Sequence, residues 1–135
     1  MRKIVYSRPD GGVSVVSVPF DTDEAIETAR ARLPADAIDP RIVDESAVPA
    51  DRTFRNAWKQ AGTTIEHDMP KARDLQEQRI KDAQRLKIRD ILEREALGDN
   101  VASEKASLRA VNPRALVDAA QTPDELKAVW PIILN

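Results

Sequence analysis

The hydrophobic pattern changes period along the chain. Residues 3–7 (Lys-Ile-Val-Tyr-Ser) and 13–18 (Val-Ser-Val-Val-Ser-Val) are rich in β-branched and aromatic side chains. Between them lies Arg8-Pro9-Asp10-Gly11-Gly12, where Pro presets φ and Gly allows φ > 0, so the pattern predicts a hairpin. Ile4, Tyr6 and Val15 are its candidate core residues. The next segment predicts a helix capped by Asp21, with Glu24 completing a capping box and Pro34 stopping it. Ile26, Ala29, Arg30 and Leu33 follow its spacing, with Ile26 assigned to the core. A short strand is predicted at 41–46, between Pro40 and Pro49. A two-stranded ribbon alone is marginal, so a third strand and a covering helix are physically required.

The stretch Asp51-Arg-Thr-Phe-Arg-Asn-Ala-Trp-Lys-Gln-Ala-Gly62 sets Phe54, Ala57 and Trp58 at i, i+3 and i+4. With Asp51 as N-cap and Gly62 as stop, this predicts a short helix with those three side chains on one face. Phe54 and Trp58 then pack on the sheet as core. The alternative makes Trp58, with an arginine of this stretch, an exposed anchor for a partner. A further strand is predicted over 63–68.

From Asp68, a cap with Pro70 in the first turn, no Gly or Pro breaks the chain after Pro70 until Gly98. The pattern predicts a helix over 69–97, about 43 Å long. Met69, Ile80 and Ile91 stand eleven apart, as do Leu75, Leu86 and Leu97, and Ala72 and Ala83. An eleven-residue repeat keeps each stripe nearly parallel to the axis. Ile88 and Leu92 lie off the main stripe and predict cover on a second side. That cover is expected from three short helices. One is capped by Asn100 and runs to about Ala110, one starts at Asn112-Pro113, and one starts at Thr122-Pro123-Asp124-Glu125 and holds Leu126, Val129 and Trp130 before Pro131. The apolar tail Ile132-Ile133-Leu134 is expected to dock on the long helix or on a neighbouring chain. The expected class is α+β. An N-terminal antiparallel sheet with a covering helix fills 1–67, and a helical region built on one long helix fills 68–135.

Composition narrows the chemistry. Net charge is −2, from 21 basic and 23 acidic residues, with no basic stripe to attract nucleic acid or a membrane surface. With no cysteine, disulfides, thiolate catalysis and Cys-based metal sites are excluded. No apolar run approaches the ~20 residues of a spanning helix, and the first residues lack a signal peptide's apolar stretch. The single histidine, His67, sits between Glu66 and Asp68, which would point to the opposite face of a strand, so a metal site is not indicated. No nucleophile motif or phosphate-binding loop occurs; Gly11-Gly12 is followed by no Lys-Ser/Thr and no helix. The residues therefore predict a protein without an enzymatic role, cofactor or metal, made in the cytoplasm.

Residues 87–134 carry Arg89-Asp90-Ile91-Leu92, Leu108-Arg109-Ala110 and Trp130-Pro131. In this layout the segment resembles the small tail assembly chaperones of tailed bacteriophages, with Ala110 where that family usually has an acid. The whole chain, through Asp51–Lys59 and Asp68–Asp74, also resembles small proteins encoded among phage and prophage tail genes. The resemblance implies a phage tail accessory that works by protein contact in the host cytoplasm, with another phage structural protein as partner. Met69, Leu75, Ile80, Leu86, Ile88, Leu92, Trp130, Ile132, Ile133 and Leu134 are its candidate contact residues. The alternatives are a permanent component of the virion and a small inhibitor of a host defence protein. The long helix also leaves self-association open.

Overall fold

The structure is a computed structural model that describes residues 1–135. The fold is α+β, and the chain divides into two compact units, Met1–Asp68 and Met69–Asn135.

In the first unit, β1 (Arg2–Ser7), β2 (Val13–Ser17) and β3 (Ile38–Asp44) form an antiparallel sheet in the order β2-β1-β3. The β1–β2 turn closes through Arg8 N–H to Gly12 O at 2.8 Å, with Gly11 at φ +85°. Side chains alternate between faces, and each face has its own cover. Ile4 and Val18 pack with Ile26 of α1 (Asp23–Ala31), while Val5, Val13 and Val43 pack with Trp58 and Ile65. Those last two side chains belong to a second hairpin, β4 (Trp58–Ala61) and β5 (Thr64–His67). The sheet is therefore sandwiched between a helix and a ribbon.

Several expectations change here. The segment 51–62 is not a helix. It holds one 3-10 turn, Arg55–Ala57, and then strand β4. The register Ala61↔Thr64 leaves the two-residue loop Gly62-Thr63, with Gly62 at φ +64°; glycine at the first loop position suits a tight hairpin. Phe54 and Trp58 are nevertheless core, 2% and 3% exposed. Of the other predicted core residues, Ile4 and Ile26 are buried, but Tyr6 and Val15 are only half-buried. Tyr6 pairs with Ser14 toward the turn, outside both apolar clusters, and Val15 lies on an edge strand. The α1 cap is Thr22, whose Oγ1 accepts from Ala25 N–H, while Asp21 is taken by Arg2 Nε at 2.7 Å. Strand β3 begins at Ile38 and includes Pro40, which an edge strand tolerates because the missing N–H need not join a ladder.

The second unit is helical: α2 (Met69–Ala96), α3 (Ala102–Arg109), α4 (Pro113–Asp118), α5 (Pro123–Ala128) and a final 3-10 turn, Ile132–Leu134. Unbroken over 28 residues, α2 spans about 42 Å. Its end is a Schellman cap: Gly98 stands at φ +95°, and Gly98 and Asp99 donate to the Glu95 and Arg94 carbonyls. Asn112 caps α4 and Thr122 caps α5, while Glu125 accepts from Gln121 N–H at 2.7 Å. Val101 holds the N-cap position of α3 without a side-chain bond, while Asn100 Oδ1, one residue earlier, accepts from Ala102 N–H at 3.4 Å; α5 stops at Ala128, which leaves Trp130 outside the helix.

The buried line of α2 is Ala72, Gln76, Ile80 and Ile91, met by Val101, Leu108, Val117, Leu126 and Leu134. Polar α2 side chains hold the short helices through carbonyls. Gln76 donates to Val129 O at 2.8 Å, Arg73 to Ala120 O at 2.9 Å, and Gln84 to Leu108 and Val111 O. On the surface, Arg114 of α4 meets Asp74 Oδ1 at 2.7 Å, Glu77 Oε2 at 3.1 Å and Asp118 Oδ1 at 2.8 Å. Lys81 first, then Arg114, hold the Glu77 carboxyl below the usual carboxylate range, and the three acids raise the Arg114 guanidinium.

Trp58→Ala is expected to lower stability by ~3–5 kcal/mol through the cavity it leaves, and Trp58→Phe by much less. Urea denaturation of both variants checks this, and a loss below ~1 kcal/mol for the alanine variant contradicts the packing. The second prediction concerns acid. Because the folded Glu77 pKa is depressed, its stabilisation is complete above the unfolded carboxylate value and disappears as pH falls through the folded one. Melting temperature should drop from about pH 4.5 downward, and Glu77→Gln should make that drop shallower. An unchanged slope contradicts the assignment.

Candidate functional site

The surface of α2 carries two apolar lines, and only one is covered. Successive residues turn by about 100°, so Leu86, six beyond Ile80, points roughly 120° away from the buried line. Ile80 is fully buried and Ile91 is 4% exposed, while Leu86 is 64% and Leu97 85% exposed. The eleven-residue spacing is real in both lines, but they face different surroundings.

Ile88 and Leu92, one helical turn apart, stand at the margin of the buried line and are exposed. With Ile91 of α2 and Lys105, Leu108 and Arg109 of α3 they enclose an apolar recess of about 220 Å³. α3 is fixed beside it by two ion pairs, Arg94 with Glu104 and Lys105 Nζ with Glu95 at 2.8 Å. Glu104 holds the Arg94 guanidinium up and is itself held below the usual carboxylate range by Arg94. Lys105 is taken up by its pair with Glu95. The guanidinium groups of Arg109 at the recess, and of Arg89 next to Ile88, have no hydrogen bond or ion pair. A recess with an aliphatic floor and unpaired guanidinium groups suits an apolar side chain flanked by carboxylates.

A second recess, of about 510 Å³, is built where α3 gives way to α4 and the chain leaves α5. Val111, Leu116, Val129 and Trp130 supply its apolar wall, and Ala110 and Ala115 leave it open. Trp130 is 38% exposed and Ile132, beyond Pro131, 86%.

The predicted contact residues thus fall into three groups. Leu86, Ile88, Leu92, Trp130 and Ile132 are exposed; Met69, Leu75 and Ile133 are half-buried. Ile80 and Leu134 are corrections: α2 points Ile80 into its own unit, and the 3-10 turn folds Leu134 inward, so neither is free to meet a partner. The expectation that Ile88 and Leu92 are covered also fails in part, because α3 covers Ile91 and leaves both neighbours open. Sequence reasoning missed Arg109 and Leu116 as surface features. Arg109 directly follows the buried Leu108, a signal the spacing contained.

Among possible reactive groups, His67 ends β5 opposite Trp58, and no three His, Asp or Glu side chains gather as a metal site would need. No helix is long and apolar enough to cross a membrane. The chain matches no family model, no curated protein and no solved structure.

Proposed function

We propose that this chain is a non-enzymatic accessory of phage tail morphogenesis, an assembly chaperone or adaptor that holds another tail protein by contact through its helical unit. The observation that carries the contact reading is the uncovered apolar set on α2, with Ile88 and Leu92 beside a recess rimmed by the unpaired Arg109. The phage assignment rests on the sequence resemblance of residues 87–134. The fitting partner segment is an amphipathic helix with aliphatic anchors and an acidic edge, laid along α2 and α3. The mechanism is shielding: apolar area of the partner leaves water against α2 until the partner assembles, and no bond is made or broken. Area of this kind contributes roughly 25 cal/mol per Å² removed from water, so a modest recess suits a reversible hold.

Affinity capture from cells expressing the phage tail genes tests the reading. The wild-type chain should retain one tail protein in near-stoichiometric amount. Ile88→Asp/Leu92→Asp should lose that protein at an unchanged melting temperature, since exposed positions tolerate substitution within about 0.5 kcal/mol. Retention unaffected by the double variant, or capture of host proteins alone, overturns the proposal. Persistence of the chain in purified particles at fixed copy number assigns it instead to the virion.

A further inference from the structure

The first unit contains a cleft of about 720 Å³ between the sheet and the segment that follows β3. One wall is apolar, formed by Val15 of β2 with Val48 and Pro49. Its polar groups are nearly all occupied. Asp44 Oδ1 accepts from Ser46 N–H at 2.9 Å. Glu45 lies 3.8 Å from both the Lys3 ammonium and the Met1 amine, and Lys3 Nζ donates to Ser17 Oγ at 2.9 Å.

One charged group is left over. The Arg52 guanidinium lines the cleft and has no hydrogen bond or ion pair. Trp58 also lines it and is 3% exposed, with its Nε1 closed off from solvent. What remains is thus one unpaired cation beside an aliphatic wall. We propose that this cleft binds a carboxylate carried on an aliphatic group. The planar guanidinium of Arg52 donates to a carboxylate in a bidentate pair, and the aliphatic part rests on Val15, Val48 and Pro49, close enough to the Trp58 ring for its indole signal to report binding. The carboxylate comes from a free aliphatic acid or from the carboxyl end of a peptide. This site is independent of the contact surface on the helical unit.

Two-dimensional 1H–15N spectra of the full chain test this. Hexanoate and an acetylated dipeptide ending in leucine serve as probes, hexanamide as the uncharged control and sulfate as the control for charge alone. The indole signal of Trp58, identified by its loss in Trp58→Phe, should move saturably with the carboxylates, while that of Trp130 stays in place. Arg52→Gln, a change at an exposed side chain, should weaken binding at least ~10-fold, as loss of a charged hydrogen bond does. The tighter-binding probe identifies the source, free acid or peptide end. No saturable movement up to ~10 mM probe, the same affinity in Arg52→Gln, or equal movement with hexanamide or sulfate overturns the proposal.

Discussion

The helical unit depends on one constraint: three helices of six to eight residues exist only because α2 is there to receive them. Helices this short are far below the length at which isolated helices hold in water. α2 receives them with a narrow line of side chains, Ala72, Gln76, Ile80 and Ile91, and each short helix presents a buried residue, Leu108, Val117 or Leu126, in return. Full burial of such an aliphatic side chain contributes roughly 1.5–3 kcal/mol. That alone does not fix a helix end. The ends are held by Arg73, Gln76 and Gln84, whose side chains reach carbonyls that no intrahelical N–H satisfies. The buried Gln76 is therefore a structural donor, with Val129 O as its acceptor.

The sheet unit solves a different problem. Three strands with two half-apolar faces need cover on both sides, and 68 residues must supply it. The chain uses α1 for one face and the β4–β5 hairpin for the other, which brings Trp58 over Val5 and Val13. The alternation of β1 makes the division readable: Ile4 faces α1 and Val5 faces Trp58.

Periodicity made the elements with strong signals legible. The first hairpin, the unbroken α2 and the Pro-marked starts of α4 and α5 follow from β-branched runs, the absence of breakers, and cap residues. The segment around Trp58 did not, because i, i+3, i+4 spacing over five residues fits a helix turn and equally a 3-10 turn entering a strand. The deciding feature was Gly62-Thr63, a two-residue hairpin loop between Ala61 and Thr64, and it was overshadowed by the aromatic spacing. The candidate surface was half legible for a related reason. A list of apolar positions on one helix does not say which line the later helices cover, so Ile80 and Leu86 were grouped together although they point roughly 120° apart. Only the cover supplied by α3 to α5 separates them.

That separation bears on the contact reading. A single exposed leucine on a helix needs no explanation, since more than half of a protein's surface is contributed by apolar atoms. Leu86 and Leu97 are a different case, because an eleven-residue interval is three helical turns within about 20°, so they stand on one line of α2. Ile88 and Leu92 stand on another line, beside the recess at α3. The helix otherwise carries Lys, Arg, Asp, Glu and Gln on its outer surface, many tied in pairs such as Lys81–Glu77 and Arg94–Asp90. A face meant only for water is served by those residues alone. Leu86 and Leu97, 64% and 85% exposed, add little to the unit's own core, and the exposed parts of Ile88 and Leu92 extend its margin. On the contact reading proposed above, these side chains are the surface that meets other polypeptide, and the unpaired Arg109 is the group that would select among partners by charge.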